Sequence, residues 1–199
     1  MNPKADKLQI LLIEDNGEIA DSLKEYTERE LHVQVTNAPH KAAALKELKT
    51  AGRRFAALIV DMMLPENQSD LDDLVRLDPQ RAEALMELAD RTGLDTDYLD
   101  KHIAALRRRI DELDREIDAR LALEGGCEIL EWYSDHLNPG QSPDSRRPLD
   151  VPVIIFTARG LAEIRSRCEK IVERSRLKWL EKPVDEKDIV HALQQLLGL

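Results

Sequence analysis

Four short apolar runs constrain this chain more than any other feature: LQILLI (8–13), FAALIV (55–60), VPVIIF (151–156) and LKWL (177–180). Each has the length of a strand buried on both faces. HVQV (32–35) alternates in the manner of a strand nearer a sheet edge. Helical spacing fills the intervals. Ile19, Leu23 and Tyr26 recur in 17–30, Ala42, Leu45 and Leu48 in 39–50, and Cys127, Leu130 and Tyr133 in 126–137. Ile164, Cys168 and Ile171 do so in 161–174, and Ile189, Ala192, Leu193 and Leu196 in 185–197. Strands alternating with helices of this length predict an α/β fold, a parallel sheet covered on both sides.

The segment 66–124 breaks this rhythm, and charge marks it. Of the 39 acidic and 29 basic residues, 17 acidic and 9 basic fall there, so that segment carries −8 of the net −10. Asp78-Pro79 reads as an N-cap and a first-turn proline, opening a helix that stops at Thr92-Gly93. A longer helix is predicted from about 97 to 124, roughly 40 Å at about 1.5 Å per residue. Along it Leu99, Ile103, Leu106, Ile110, Leu113 and Ile117 step by four and three, an a/d seam. Gly125-Gly126 is expected to end it. Leu85, Leu88 and Ala89 form a facing stripe, so an antiparallel hairpin is predicted. A seam facing a helix half its length leaves apolar positions uncovered. The six seam residues are therefore candidates for homodimerisation or for docking a partner protein; the alternative is a hairpin that buries its own seam.

At 199 residues the chain accommodates one sizeable core and an accessory element. No stretch approaches the roughly 18 apolar residues that span a bilayer, and MNPKADK leads into a run too short for a secretion signal. A cytoplasmic location without a membrane partner is expected. The acidic balance argues against nucleic acid. Arg107, Arg108 and Arg109 precede Asp111, Glu112, Asp114 and Glu116, which predicts i,i+4 pairing instead. Cys127 and Cys168 lack metal-ligand spacing and are expected to be reduced, partly buried and without a redox role.

The residues that follow the inner runs carry the chemistry. LQILLI is followed by Glu14 and Asp15, FAALIV by Asp61, VPVIIF by Thr157, and LKWL, after Glu181, by Lys182. In an open parallel sheet, ligands bind beyond the carboxyl ends of the strands. Three carboxylates, a hydroxyl and an ammonium are thus predicted to converge. Three packed anions repel unless a cation joins them, and hard oxygen ligands suit Mg²⁺. Lys182 adds positive charge for a further anion, with phosphate the obvious one. Taken singly, Asp61 could cap a helix, Glu14 and Asp15 could cap the one starting near Asn16, and Thr157 could close a turn.

LLIEDN, LIVDMMLP, IIFTA and LEKPVD, in that order, resemble the receiver domain of bacterial two-component response regulators. The likeness spans about 140 residues, 1–65 and 125–199, and leaves 66–124 as an insertion. It implies a flavodoxin-like, doubly wound five-stranded parallel sheet of order 2-1-3-4-5. It also implies a phosphoacceptor signalling protein that catalyses only its own phosphotransfer and dephosphorylation. Asp61 would accept a phosphoryl group from a sensor histidine kinase or phosphotransfer protein. Asp15 would bind Mg²⁺ directly, Glu14 through water, and Asp61 and the Met63 carbonyl would complete the protein ligands. Lys182 and Thr157 would hold phosphoryl oxygens. Trp179 falls where the family carries a switch aromatic, though a tryptophan in a short strand fits a core position equally well. Met63 and Arg159 would flank the site and slow hydrolysis. Pro183 fits a rigid turn, a peptide that is often cis in this family.

The chain departs from that pattern between Asp61 and Thr157, which lie 96 positions apart. The insertion enters beside the proposed phosphorylation site, at little cost in closure entropy. No output domain follows Leu199, so a stand-alone receiver acting by protein contact is expected. Two rivals remain. An aspartate-nucleophile phosphatase wants a second Asp two residues after the first, where this chain has Met63. A receiver-like scaffold acting through its hairpin without phosphorylation has no use for Asp61, Lys182 and the acidic pair.

Overall fold

The computed structural model describes residues 7–50, 55–91, 97–122, 124–137, 139, 148–157 and 162–199, without the side chains of 91, 97–101 and 162–164. The chain runs β1 (Gln9–Ile13), α1 (Gly17–Leu31), β2 (Gln34–Ala38), α2 (Lys41–Lys49), β3 (Ala57–Val60) and β4 (Leu64–Pro65). There follow α3 (Gln68–Arg91), α4 (Asp97–Asp118), β5 (Leu121–Ala122), α5 (Gly125–Leu137), β6 (Val153–Thr157), α6 (Ala162–Ile171), β7 (Leu177–Glu181) and α7 (Glu186–Leu197).

All pairings in the five-stranded sheet are parallel, in the order β2-β1-β3-β6-β7. Counting only the five predicted runs, this is the expected 2-1-3-4-5. The inner strands are apolar at successive positions because both faces are buried: alternate side chains serve opposite layers. Ile10, Leu12, Ala57, Ile59, Ile154 and Phe156 pack with α1 and α7 through Ala20, Leu23, Ile189 and Leu193. Leu11, Ile13, Leu58, Val60, Val153 and Ile155 meet Ala44 and Leu48 of α2, Cys127 and Leu130 of α5 and Cys168 of α6. The inward stripe of α1 is Ala20, Leu23 and Thr27, while Ile19 faces out at 39% exposure, one turn position off the expected stripe.

The insertion is a helical hairpin, but its boundaries differ from expectation. α3 starts at Gln68, with Pro79 inside it. Asn67 is the cap the sequence reading overlooked: its Oδ1 accepts from the backbone N–H of Ser69 at 2.9 Å and of Asp70 at 3.2 Å. Pro79 is tolerated because the carbonyl it orphans belongs to Val75, a residue 67% exposed and so open to water. α4 ends at Asp118, and Gly125-Gly126 opens α5 instead of closing α4. Between them β5 pairs antiparallel with β4, Leu64 with Ala122 and Pro65 with Leu121.

The longer α3 also covers the seam. Leu106, Ile110 and Leu113 are buried, Ile103 and Ile117 are half-buried, and the side chain of Leu99 lies outside the described residues. The facing stripe is Leu74, Leu77 and Ala84; Leu85 and Ala89 are exposed. Among the described residues Arg107, Arg108 and Arg109 form none of the expected i,i+4 ion pairs. Ion pairs cross the hairpin instead, Arg81 with Asp114 and Arg120 with Asp73 at 2.8 Å, and His102 is hydrogen-bonded to Glu87 at 3.2 Å.

Candidate functional site

The strand ends assemble the site. The Asp61 N–H donates to the Ile13 carbonyl at 2.9 Å, which brings the residue after β3 beside Glu14 and Asp15 after β1. The Lys182 N–H donates to the Thr157 carbonyl at 3.0 Å, tying the residue after β7 to the last residue of β6. The Lys182–Pro183 peptide is cis. Glu14, Asp61 and Thr157 are buried, and Asp15 is half-buried.

The Lys182 ammonium lies 2.7 Å from Asp61 Oδ2 and 2.8 Å from Glu14 Oε2, and 4.4 Å from the centroid of the Phe156 ring. The Met63 N–H donates to Asp61 Oδ1 at 3.2 Å, and the Asn16 N–H to Glu14 Oε1 at 3.0 Å. Asn16, and neither Glu14 nor Asp15, caps α1: its side chain accepts from the N–H groups of Glu18 and Ile19. The two acidic residues are thereby left to face the site.

One oxygen from each of Glu14, Asp15 and Asp61 lies within 4.8 Å of the others. Burial, reinforced by the Asp61 charge and opposed by Lys182, pushes the Glu14 carboxyl up to about 7. Burial and the Asp61 charge also raise Asp15. For Lys182, burial works against the charged form, but Asp61 and Glu14 outweigh it and hold the ammonium above its ordinary range. A single ammonium against three carboxylates leaves an excess of negative charge. This donor set, all hard oxygens and short of positive charge, fits a divalent cation such as Mg²⁺.

Gly126 is a site residue whose role the sequence reading missed. A Cβ there would come 2.2 Å from the Asp61 carbonyl oxygen, 2.7 Å from Met62 Cε and 2.9 Å from Val60 Cγ1. Only glycine lets the first turn of α5 close on the end of β3. The signal was present as a diglycine, but read as a helix stop.

Trp179 pairs with Ile155 across the β6–β7 ladder, packs at the edge of the α2–α5–α6 layer, and has the Arg165 guanidinium 5.8 Å from its ring centroid. Its buried indole Nε1 has no hydrogen-bond partner among the described residues. Arg159 lies outside the described residues. Cys127 and Cys168, expected to be reduced, partly buried and without a redox role, are free thiols, both fully buried, with their sulfurs 3.4 Å apart.

No protein-family model matches the chain, and no curated protein matches it. Solved structures do. The chain is similar to a CheY-like response regulator receiver domain protein from Methanospirillum hungatei JF-1, at 16% identity and a TM-score of 0.54, covering 96% of this chain and 94% of that one. The Francisella response regulator 1452 receiver domain gives 14% identity and a TM-score of 0.53, over 96% and 97%. The signal receiver domain of a putative Luxo repressor protein from Vibrio parahaemolyticus gives 16% and 0.51, over 96% and 91%. With sheet order, strand ends and these likenesses in agreement, the chain has the fold of a response regulator receiver domain, into which a helical hairpin is set.

Proposed function

We propose that this chain is a phosphoacceptor signalling protein in which Asp61 takes a phosphoryl group from a phosphohistidine on a sensor kinase or phosphotransfer protein. The observation that carries this reading is the Lys182 ammonium 2.7 Å from Asp61 Oδ2, beside two further carboxylates whose protons burial holds unusually tightly. An Asp61 carboxylate oxygen attacks phosphorus, the P–N bond to the donor imidazole breaks, and an acyl phosphate forms. Phosphoryl transfer of this kind needs alignment and charge neutralisation more than covalent help.

The Met63 N–H orients the Asp61 carboxylate, and Lys182, freed in part from Asp61, pairs with a phosphoryl oxygen. Thr157, fixed one step away by the Lys182 backbone, is the hydroxyl donor to another. Glu14, Asp15, Asp61 and the Met63 carbonyl are the groups that would hold Mg²⁺, which supplies charge neutralisation for the incoming phosphoryl oxygens. Met63, two residues after Asp61, flanks the reacting atoms. Trp179 is the candidate to report the change at Thr157, since β6 and β7 are paired. Signalling then proceeds by protein contact, with the 66–124 hairpin as the element for dimerisation or partner docking.

Incubation with acetyl phosphate and Mg²⁺, read by intact mass, tests the reading. A gain of about 80 Da is expected, lost with a chelator or in Asp61→Asn. A chain that gains no mass while a known receiver does so under the same conditions favours the phosphorylation-independent scaffold.

A further inference from the structure

We propose that Cys127 and Cys168 form a redox-active dithiol, a modification site at which a hydroperoxide closes a disulfide between α5 and α6. This goes beyond the phosphoacceptor reading and does not depend on it. The two sulfurs lie 3.4 Å apart although the residues are 41 positions apart in sequence. A disulfide is about 2.05 Å long, so the sulfurs need to approach by only about 1.4 Å.

The two thiols are not equivalent. Cys127 lies in the first turn of α5, where the helix dipole favours an anion. It accepts the Cys168 thiol hydrogen, and the Arg167 guanidinium adds positive charge nearby; together these hold the Cys127 thiol below its ordinary range. The same hydrogen bond, with burial, pushes Cys168 up. Arg167 is itself fixed, to Glu131 at 2.9 and 2.8 Å and to Glu124. Cys127 is thus the attacking sulfur and Cys168 the resolving one. The charges of Glu131 and Glu124 oppose the guanidinium at Cys127, and the hydrogen bond from Cys168 prevails.

The chemistry balances without any cofactor. With hydrogen peroxide as the oxidant, Cys127 gives up its proton and its sulfur attacks a peroxide oxygen; the O–O bond breaks, the departing hydroxide takes up that proton as water, and a sulfenic acid remains. The Cys168 sulfur then attacks that sulfur, the S–S bond forms, and the hydroxyl leaves as water with the Cys168 proton. Peroxide takes up both electrons. Both thiols are fully buried, so oxidation waits on a local separation of α5 and α6.

The test uses the full reduced chain, treated with hydrogen peroxide, then denatured, alkylated and mapped by mass. The expected product has lost about 2 Da, resists alkylation at both cysteines, yields a linked Cys127–Cys168 peptide, and reverts with dithiothreitol. In Cys168→Ser, dimedone is expected to trap a sulfenic acid at Cys127. Asp61→Asn is expected to give the same linked peptide as the unaltered chain, which separates this outcome from that of the phosphoacceptor reading. Full alkylation of both cysteines after peroxide, or disulfides found only between chains, overturns the proposal; the peptide map of the unaltered chain decides this even if Cys168→Ser fails to fold.

Discussion

At the scale of single residues, the site is a problem of charge. Lys182 serves two carboxylates at once while Asp15 stands beside them with its proton affinity raised. The folded chain therefore binds protons at Glu14 and Asp15 more tightly than the unfolded chain does. For Glu14 the window runs from the ordinary 4.5 up to about 7, and across it stability falls as pH rises, since only the folded state still holds the proton. Denaturant midpoints measured with a chelator present are expected to decline over that window, and saturating Mg²⁺ is expected to flatten the slope. A chelated protein equally stable at both ends contradicts the charge account. Asp15→Asn removes one of the crowded anions. It is expected to stabilise the metal-free chain at pH 8 and to abolish the stabilisation by Mg²⁺, both read from melting temperature.

At the scale of elements, the strand ends were the legible part. Apolar runs on a sheet buried from both sides leave little choice of register, and the residue after each run is delivered to one edge. That logic placed Glu14, Asp15, Asp61, Thr157 and Lys182 from sequence, and the backbone bonds from Asp61 to Ile13 and from Lys182 to Thr157 are its physical form. The helical positions were less legible. Gly126 reads locally as a terminator, but its function is a contact with residues 60–62, distant in sequence. Asn67, with Asp70 three residues on, signals an N-cap in the sequence, but Pro79 drew the helix start to itself. Gly126→Ala is expected to cost about 3 kcal/mol in chemical denaturation and to slow phosphorylation of Asp61. Gly17→Ala, where a Cβ meets nothing within 4 Å, is expected to be neutral or stabilising by about 0.5 kcal/mol. Equal effects at the two glycines contradict the close-packing account of α5.

At the scale of the whole molecule, the hairpin is rooted in the site. β4 begins three residues after Asp61 and pairs with β5, while α5 starts next and closes on Asp61 through Gly126. Among the described helices none is long and apolar enough to cross a membrane. The seam that suggested an uncovered coiled coil is used within the chain, because α3 proved to be a full partner to α4. Leu106→Ala is expected to cost about 3 kcal/mol, seen as faster amide exchange along α3 and α4. Deleting 66–124 and measuring mass in solution tests the hairpin's role in dimerisation, and an unchanged monomer with unaltered partner binding counts against it. The central claim concerns which atom takes the phosphoryl group. Borohydride reduces an acyl phosphate of aspartate to homoserine, so reduction of the acetyl phosphate-treated chain followed by peptide sequencing locates the modified residue. Homoserine at position 61 alone is the expected result; homoserine at another position, or a phosphoryl group that survives on a histidine or serine, contradicts the account.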